Sequence, residues 1–276
     1  MIAAGATIGS LQTALPLGSF ENRILLCHAL GLTRVGLITQ SERALTASEA
    51  GAVTALVERR LQGEPIAYIV GKREFFGLDF YVTDAVLIPR PDTELLVELA
   101  LERLPAQGRV LDMGTGSGAI AVAIAHTRAD VNVTALDVSA AALEVARANA
   151  VANGVRIGFV RSDWFAAVGA ERFDLIVSNP PYIASGDAHL AQGDLRFEPA
   201  GALTDHADGL SALRTIAAGA QAHLAPQAWL LLEHGYDQAA QVRQLLTDTG
   251  YTEVQSWRDL AGIERASGGQ APPGSA

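Results

Sequence analysis

Residues 111–121 read LDMGTGSGAIA, and this stretch decides how the chain folds. Apolar residues before it suit a buried strand, apolar residues after it suit a helix, and glycines stand between them at 114, 116 and 118. Glycine lets a strand-to-helix turn tighten and lets a ligand touch the backbone, while the helix N-terminus offers unpaired amides. Thr115 and Ser117 complete the turn between these glycines. Roughly 20 residues further on, the strand VNVTALD ends in Asp137, whose carboxylate can accept two hydrogen bonds from ribose hydroxyls. Ser139 is placed to cap the next helix, so Asp137 need not do so. This combination suits either a dinucleotide or S-adenosylmethionine, because Ala119 completes G-x-G-x-x-A.

Working outward, the strand patterns RVLDM, VNVTALD, RIGFVR, FDLIVSN, AWLLLEH and YTEVQSW alternate with helical patterns near 118–126, 139–153, 208–222 and 237–248. Such alternation predicts an α/β, Rossmann-like fold: a mostly parallel sheet with helices on both faces and a ligand at the carboxyl ends of the strands. The third strand ends in Asp163 and Trp164. There a carboxylate can take an adenine amino group and a ring can cover its face. A turn-capping aspartate and a packed tryptophan explain the same residues, and it is the neighbouring strand ends that favour an adenosine.

The fourth strand ends in Asn179-Pro180-Pro181-Tyr182. Consecutive prolines donate no backbone hydrogen bonds and hold the chain extended. The Asn179 side-chain oxygen and the Pro180 carbonyl can accept both N–H bonds of a planar NH2 group, and Tyr182 can stack on its plane. The lone pair of such a nitrogen is delocalised, so it is a poor nucleophile. Rigid acceptors that turn the lone pair toward an electrophilic methyl group supply orientation and electrostatic preorganisation without a metal or a covalent nucleophile. By this chemistry the substrate is an amide or an exocyclic adenine amine.

Upstream, SFENRILLCHALGL and TASEAGAVTALVERRL have helical spacing, with Thr46 a candidate N-cap and Glu49 three positions on. Residues 64–90 change to β-branched and aromatic residues punctuated by Gly71 and Gly77, which predicts a linking hairpin. The divisions expected are therefore a helical domain over 1–63, a hairpin over 64–90, a catalytic domain over 91–265 and a flexible, Pro/Gly-rich tail over 266–276.

The 276 residues are 49% hydrophobic with a net charge of −10 and a pI near 5.0, and no basic stripe is present, which disfavours nonspecific binding to duplex DNA. The single cysteine, Cys27, sits on a helical apolar face and excludes an intramolecular disulfide. No signal-like start or long uncharged run is evident, so a soluble cytoplasmic protein, without a membrane partner and monomeric, is expected. His28 and His126 fall in helical patterns, His189 and His206 in the loop after Tyr182, and none is assigned catalysis.

The segments YIVGKREFFGLDFYVTDAVLIPRPDTE, LDMGTGSGAIA, SNPPYI, FEPAGAL, DGLSALR, LLEHG and DLAGIER, in this order from Tyr68 to Arg265, resemble the bacterial PrmC family, also called HemK. The resemblance implies a class I S-adenosylmethionine-dependent methyltransferase with a seven-stranded sheet and an N-terminal helical domain that serves the protein substrate. The implied reaction is methylation of the glutamine amide in the GGQ motif of peptide chain release factors, which modulates translation termination. It further implies that Gly114, Thr115, Gly116, Ser117, Gly118, Asp137, Trp164 and Asn179 contact cofactor, to which the strand-end reading adds Asp163. Asn179, Pro180, Pro181 and Tyr182 would hold the glutamine, with Asn179, Pro180 and Tyr182 carrying catalysis. Arg90 and Glu198 would shape the pocket or its lid, or form a structural ion pair. The tail also contains Gly268-Gly269-Gln270, the tripeptide this family modifies in its substrates, read here as a coincidence of a Gly-rich end.

Three rivals stay open on the residues alone. A nucleic-acid adenine methyltransferase presents the same NH2 problem, and the missing basic surface counts against it. A nicotinamide dehydrogenase leaves Asn179 to Tyr182 unexplained. An inactive release-factor-binding module would retain these groups without need.

Overall fold

A computed structural model describes residues 2–273 and divides the chain into two compact units between Lys72 and Arg73. The first unit holds α1 (Ile8–Ala14), α2 (Ser19–Leu30), α3 (Arg34–Thr39), α4 (Ala47–Leu61) and α5 (Ile66–Val70). Ile8, Leu25, Leu26, Leu37 and Val53 are buried in its core. Thr46 and Glu49 form the reciprocal capping box that their spacing implies, satisfying two helix-end donors at the start of α4. Buried Asn22 donates to the carbonyls of Gln12, Leu15 and Leu17, which pins the α1–α2 connection.

Residues 66–70 are a correction: the linking hairpin was expected to begin at 64, yet IAYIV is helical. Pro65 stands at its N-cap, Gly71 closes it in the left-handed conformation, and Ile69 enters the helical core. A short apolar run does not distinguish strand from helix, and here tertiary burial decides. The hairpin is shorter than expected, β1 (Lys72–Phe75) and β2 (Leu78–Tyr81).

The second unit continues with α6 (Glu94–Arg103), β3 (Arg109–Met113), α7 (Ala119–Thr127), β4 (Asn132–Asp137), α8 (Ala140–Ala152), β5 (Gly158–Arg161) and β6 (Phe173–Ser178). It closes with α9 (Ala200–Leu203), α10 (Ser211–Ala220), β7 (Leu224–Glu233), α11 (Ala239–Thr249), β8 (Thr252–Arg258) and β9 (Glu264–Gln270). The seven-stranded sheet has the order β5-β4-β3-β6-β7-β9-β8, parallel except that β9 runs against both neighbours. Alternate residues feed opposite faces: Leu175, Val177 and Leu231 join one core, and Ile176, Leu230 and Leu232 the other. The sheet is thus buried on both sides, as its apolar strands require. β4, β3 and β6 end side by side, which brings Asp137, the glycine turn and Asn179 to one edge.

The flexible tail expected over 266–276 is the second correction. Ala266 and Ser267 are fully buried, and Gly268 to Gln270 pair with Thr252 and Gln255 on one side and with Trp229 to Leu231 on the other. Residues 274–276 lie outside the described residues. A glycine is required at 268 because an added Cβ would lie 2.5 Å from the Leu230 carbonyl oxygen and 2.8 Å from a Leu231 methyl. The tripeptide Gly268-Gly269-Gln270 is therefore a sheet-packing device. Gly268→Ala is expected to destabilise the chain by about 1–3 kcal/mol through overpacking, read as a lower urea midpoint with an unchanged slope.

Candidate active site

The turn after β3 is built around a buried carboxylate. Asp112 Oδ2 accepts from the Thr115 hydroxyl at 2.6 Å and from the Ala121 amide at 3.2 Å, which ties the end of β3 to the start of α7. Burial, reinforced by the charge of Asp137, pushes the Asp112 carboxyl up to about 7. Thr115 N–H donates to the Leu136 carbonyl at 2.9 Å, and Gly116 N–H donates to Asp137 Oδ2 at 2.9 Å, so the turn is stitched to β4. The other Asp137 oxygen accepts from Ser139 N–H at 2.9 Å. Ser139 caps α8 with its hydroxyl, as its position implies. Asp137 therefore already holds two backbone amides in place, a task that sequence reasoning did not give it. An ionised carboxylate offers further acceptor sites beyond these two.

A cavity of about 350 Å³ opens at this edge. Gly114, Thr115, Gly116, Ser117, Asp137, Asp163, Trp164, Asn179 and Pro181 line it, as does Arg90. Gly116 has φ +55° and open space where a Cβ would stand, so the turn presents bare backbone. Gly118 is not in the wall: it begins α7 at φ +82°, and an added Cβ would press on the Ala146 methyl of α8 at 3.1 Å. Pro180 and Tyr182 adjoin this wall in sequence without being among the residues that line it.

Asn179 Nδ2 donates to the Thr93 hydroxyl at 3.2 Å, which leaves its Oδ1 as the acceptor offered to the site. No hydrogen bond among the described residues occupies the Pro180 carbonyl. Tyr182 is held at both ends: its hydroxyl donates to Glu233 Oε1 at 3.2 Å, and its carbonyl accepts from Gln238 Nε2 at 3.0 Å. Ile183 N–H then donates to the Leu203 carbonyl at 3.0 Å. Burial and the neighbouring Glu233 raise the proton affinity of the Tyr182 phenol, so it stays a neutral donor. The quoted segments LLEHG, DGLSALR and FEPAGAL thus brace the Asn179–Tyr182 loop from behind.

Arg90 and Glu198 meet in a partly buried ion pair, and Glu198 Oε2 also accepts from Ile88 N–H at 3.0 Å. Arg90 borders the cavity, whereas the Glu198 side chain is fully buried behind it. One pair thereby serves both readings, shaping the wall as a structural tie. His28, His126, His189 and His206 are all exposed, and none of them lines the cavity. Sequence reasoning missed Thr93 and Glu233. For Glu233 a signal existed, a charged residue ending the apolar run LLLEH at the ligand edge; Thr93 reads as an ordinary helix opener.

Among the described residues no cluster of His, Cys, Asp and Glu suits a metal ion, and no helix is long and apolar enough to cross a membrane. Residues 91–203 match the methyltransferase small domain family and residues 10–71 match the PrmC N-terminal domain family. A release factor glutamine methyltransferase of Burkholderia pseudomallei is 56% identical, with 97% of each chain covered. One from Bordetella pertussis is 55% identical over 90% of this chain and 93% of the relative. Among solved structures, a methyltransferase from Pyrococcus furiosus has a TM-score of 0.55 at 22% identity, covering 78% of this chain and 97% of that one. A T. thermophilus 16S rRNA N2 G1207 methyltransferase in complex with AdoMet and guanosine has a TM-score of 0.54 at 22% identity, covering 72% and 49%. At such identity the structural likeness speaks for the fold.

Proposed function

The chain belongs to the PrmC family of release factor glutamine methyltransferases, and from that premise we propose how its strand ends divide the work. It transfers a methyl group from S-adenosylmethionine to the side-chain amide nitrogen of a release-factor glutamine. By the family resemblance this glutamine is that of the GGQ motif.

The cavity suits the cofactor by donor set and shape: bare backbone at Gly116, acceptor carboxylates at Asp137 and Asp163, and the Trp164 ring. In this reading Gly114 to Ser117 lie along it, Asp137 takes ribose hydroxyls, Asp163 the adenine amino group, and Trp164 the adenine face. When bound, S-adenosylmethionine supplies an electrophilic methyl on a sulfonium. Gly118 serves indirectly, by letting α7 and α8 pack closely.

The observation that carries the substrate assignment is the anchoring of Asn179 through Nδ2 to Thr93, which leaves Oδ1 as an acceptor beside the cavity. Asn179 Oδ1 and the Pro180 carbonyl then accept the two N–H bonds of the glutamine amide and set its lone pair toward the methyl donor. The Tyr182 ring, fixed at hydroxyl and carbonyl, supplies a flat surface for the amide plane, and Pro181 keeps the loop from relaxing. The helical unit is assigned as a platform for the release factor. A substrate of the translation machinery supports assigning the enzyme to the cytoplasm, and it is assigned as a monomer.

An adenine amine would fit the same acceptors, and the net charge of −10 argues against a nucleic-acid substrate. The test supplies labelled cofactor with either a purified release factor or an adenine-containing oligonucleotide. Label in the protein and none in the oligonucleotide is expected; the reverse distribution would replace the glutamine reading with the adenine one.

A further inference from the structure

The prolines stiffen the Asn179–Tyr182 loop only as far as they reach. Pro180 and Pro181 fix their own φ and restrict the residue before each, which confines Asn179 and Pro180. Tyr182 is the first residue of the loop with both dihedrals free to turn. Its ψ sets the peptide plane between Tyr182 and Ile183, and a rotation there moves the backbone that carries the ring. The hydroxyl bond to Glu233 is a single point about which the ring can pivot.

The second hold comes from Gln238, a buried residue at the N-cap of α11. Both protons and the oxygen of its side-chain amide are engaged. Nε2 donates to the Tyr182 carbonyl at 3.0 Å and to the Gly209 carbonyl at 3.3 Å, and Oε1 accepts from Gly235 N–H at 2.8 Å. Three turns far apart in the chain thus meet on one side chain: the substrate loop, the turn before α10 and the turn after β7. An added Cβ at Gly209 would stand 2.5 Å from the Tyr182 oxygen and 2.9 Å from Gln238 Nε2, so the glycine of DGLSALR lets the contact close. The glycine of LLEHG is Gly235, and its own peptide is pinned in turn. Fully buried His234 donates from Nδ1 to the Gly235 carbonyl at 2.9 Å, and its other ring nitrogen pairs with the Ser267 hydroxyl at 2.8 Å. Burial lowers the proton affinity of this imidazole, so Nε2 stays an acceptor and the anchor keeps one arrangement.

We propose that Gln238 is a positioning residue for methyl transfer: through its bond to the Tyr182 carbonyl it fixes the exit of the proline-stiffened loop, and with it the ring against which the substrate amide lies. This rests on the reading of Tyr182 as the flat surface for a glutamine amide. Gln238 itself does not line the cavity, so its effect falls on the reaction and not on occupancy. An amide lying on a tilted ring still binds, but its nitrogen leaves the line to the methyl donor, and a misplacement of about 1 Å costs about 10²-fold in rate. The assigned cofactor contacts after β3, β4 and β5 make no use of Gln238.

The experiment uses the full chain with purified release factor at about pH 8.5, roughly four units above an ordinary glutamate, so that an introduced carboxyl is ionised. Gln238→Glu keeps the acceptor for Gly235 N–H and loses both donors. Gln238→Met keeps the length of the side chain and loses donors and acceptor alike. Both variants are expected to bind S-adenosylmethionine by calorimetry with wild-type affinity and stoichiometry, which shows the chain folded, and to retain the KM for release factor. Single-turnover methyl transfer at saturation is expected to fall about 10–10²-fold in each. Either variant reacting at the wild-type rate overturns the proposal, and Gln238→Glu doing so would reduce Gln238 to a partner of Gly235. A loss confined to cofactor affinity, bound fraction or KM overturns it too, as the signature of a merely structural contact. Absence of a methyl group on the glutamine with wild-type enzyme would instead remove the underlying substrate reading.

Discussion

Asn179→Ala is expected to lower kcat for methyl transfer by about 10²–10³-fold, the range seen when one preorganised polar group is removed from a reacting centre. The physical reason is directional. Methylation requires the amide nitrogen to give up conjugation with its carbonyl and aim its lone pair at the methyl group, and the acceptor on one N–H bond favours that geometry. Alanine removes the acceptor and leaves the Pro180 carbonyl alone. The fold should survive, since Asn179 is partly exposed and its side chain makes one hydrogen bond within the protein, to Thr93. Single-turnover kinetics separate this effect from substrate binding: a loss confined to KM would place Asn179 in uniform binding and contradict the orienting role.

Asp137→Ala is expected to weaken S-adenosylmethionine binding by about 10²-fold, read by calorimetry. Hydrogen bonds to an ionised group contribute about 1.5–3 kcal/mol each. The loss has two sources. In the proposed complex the carboxylate takes ribose hydroxyls directly, and in the protein it holds the Gly116 and Ser139 amides that shape the turn. Asp137→Asn keeps one acceptor oxygen and should lie between alanine and wild type. Equal affinity in all three would remove Asp137 from the cofactor site.

Much of the site is legible in the sequence because its parts are local. A glycine turn, an acid at the end of the next strand and an asparagine before two prolines each announce their chemistry within a few residues, and parallel strands bring their ends together without further instruction. What is not legible depends on distant partners. Thr93 reads as a helix opener until the fold sets its hydroxyl against the Asn179 amide, just past the end of a strand far along the chain. β9 escapes for a different reason. ERASGGQ has neither an apolar alternation nor β-branched residues, and its small side chains matter only because Leu230, Leu231 and Tyr251 press against them. The helix at 66–70 is hidden by an apolar run that serves strand and helix equally. Gly118 reads in the motif only as part of the glycine turn, and the fold adds that it lets α7 and α8 pack closely.

The central claim is that the Asn179 loop holds a glutamine amide for methylation. Its most direct measurement is mass mapping of the methyl group after incubation of the enzyme with S-adenosylmethionine and purified release factor. One added methyl on the side-chain nitrogen of the GGQ glutamine, and none when that glutamine is replaced, is the predicted result. A methyl that persists on the replaced release factor, or that maps to another residue, would contradict the assignment.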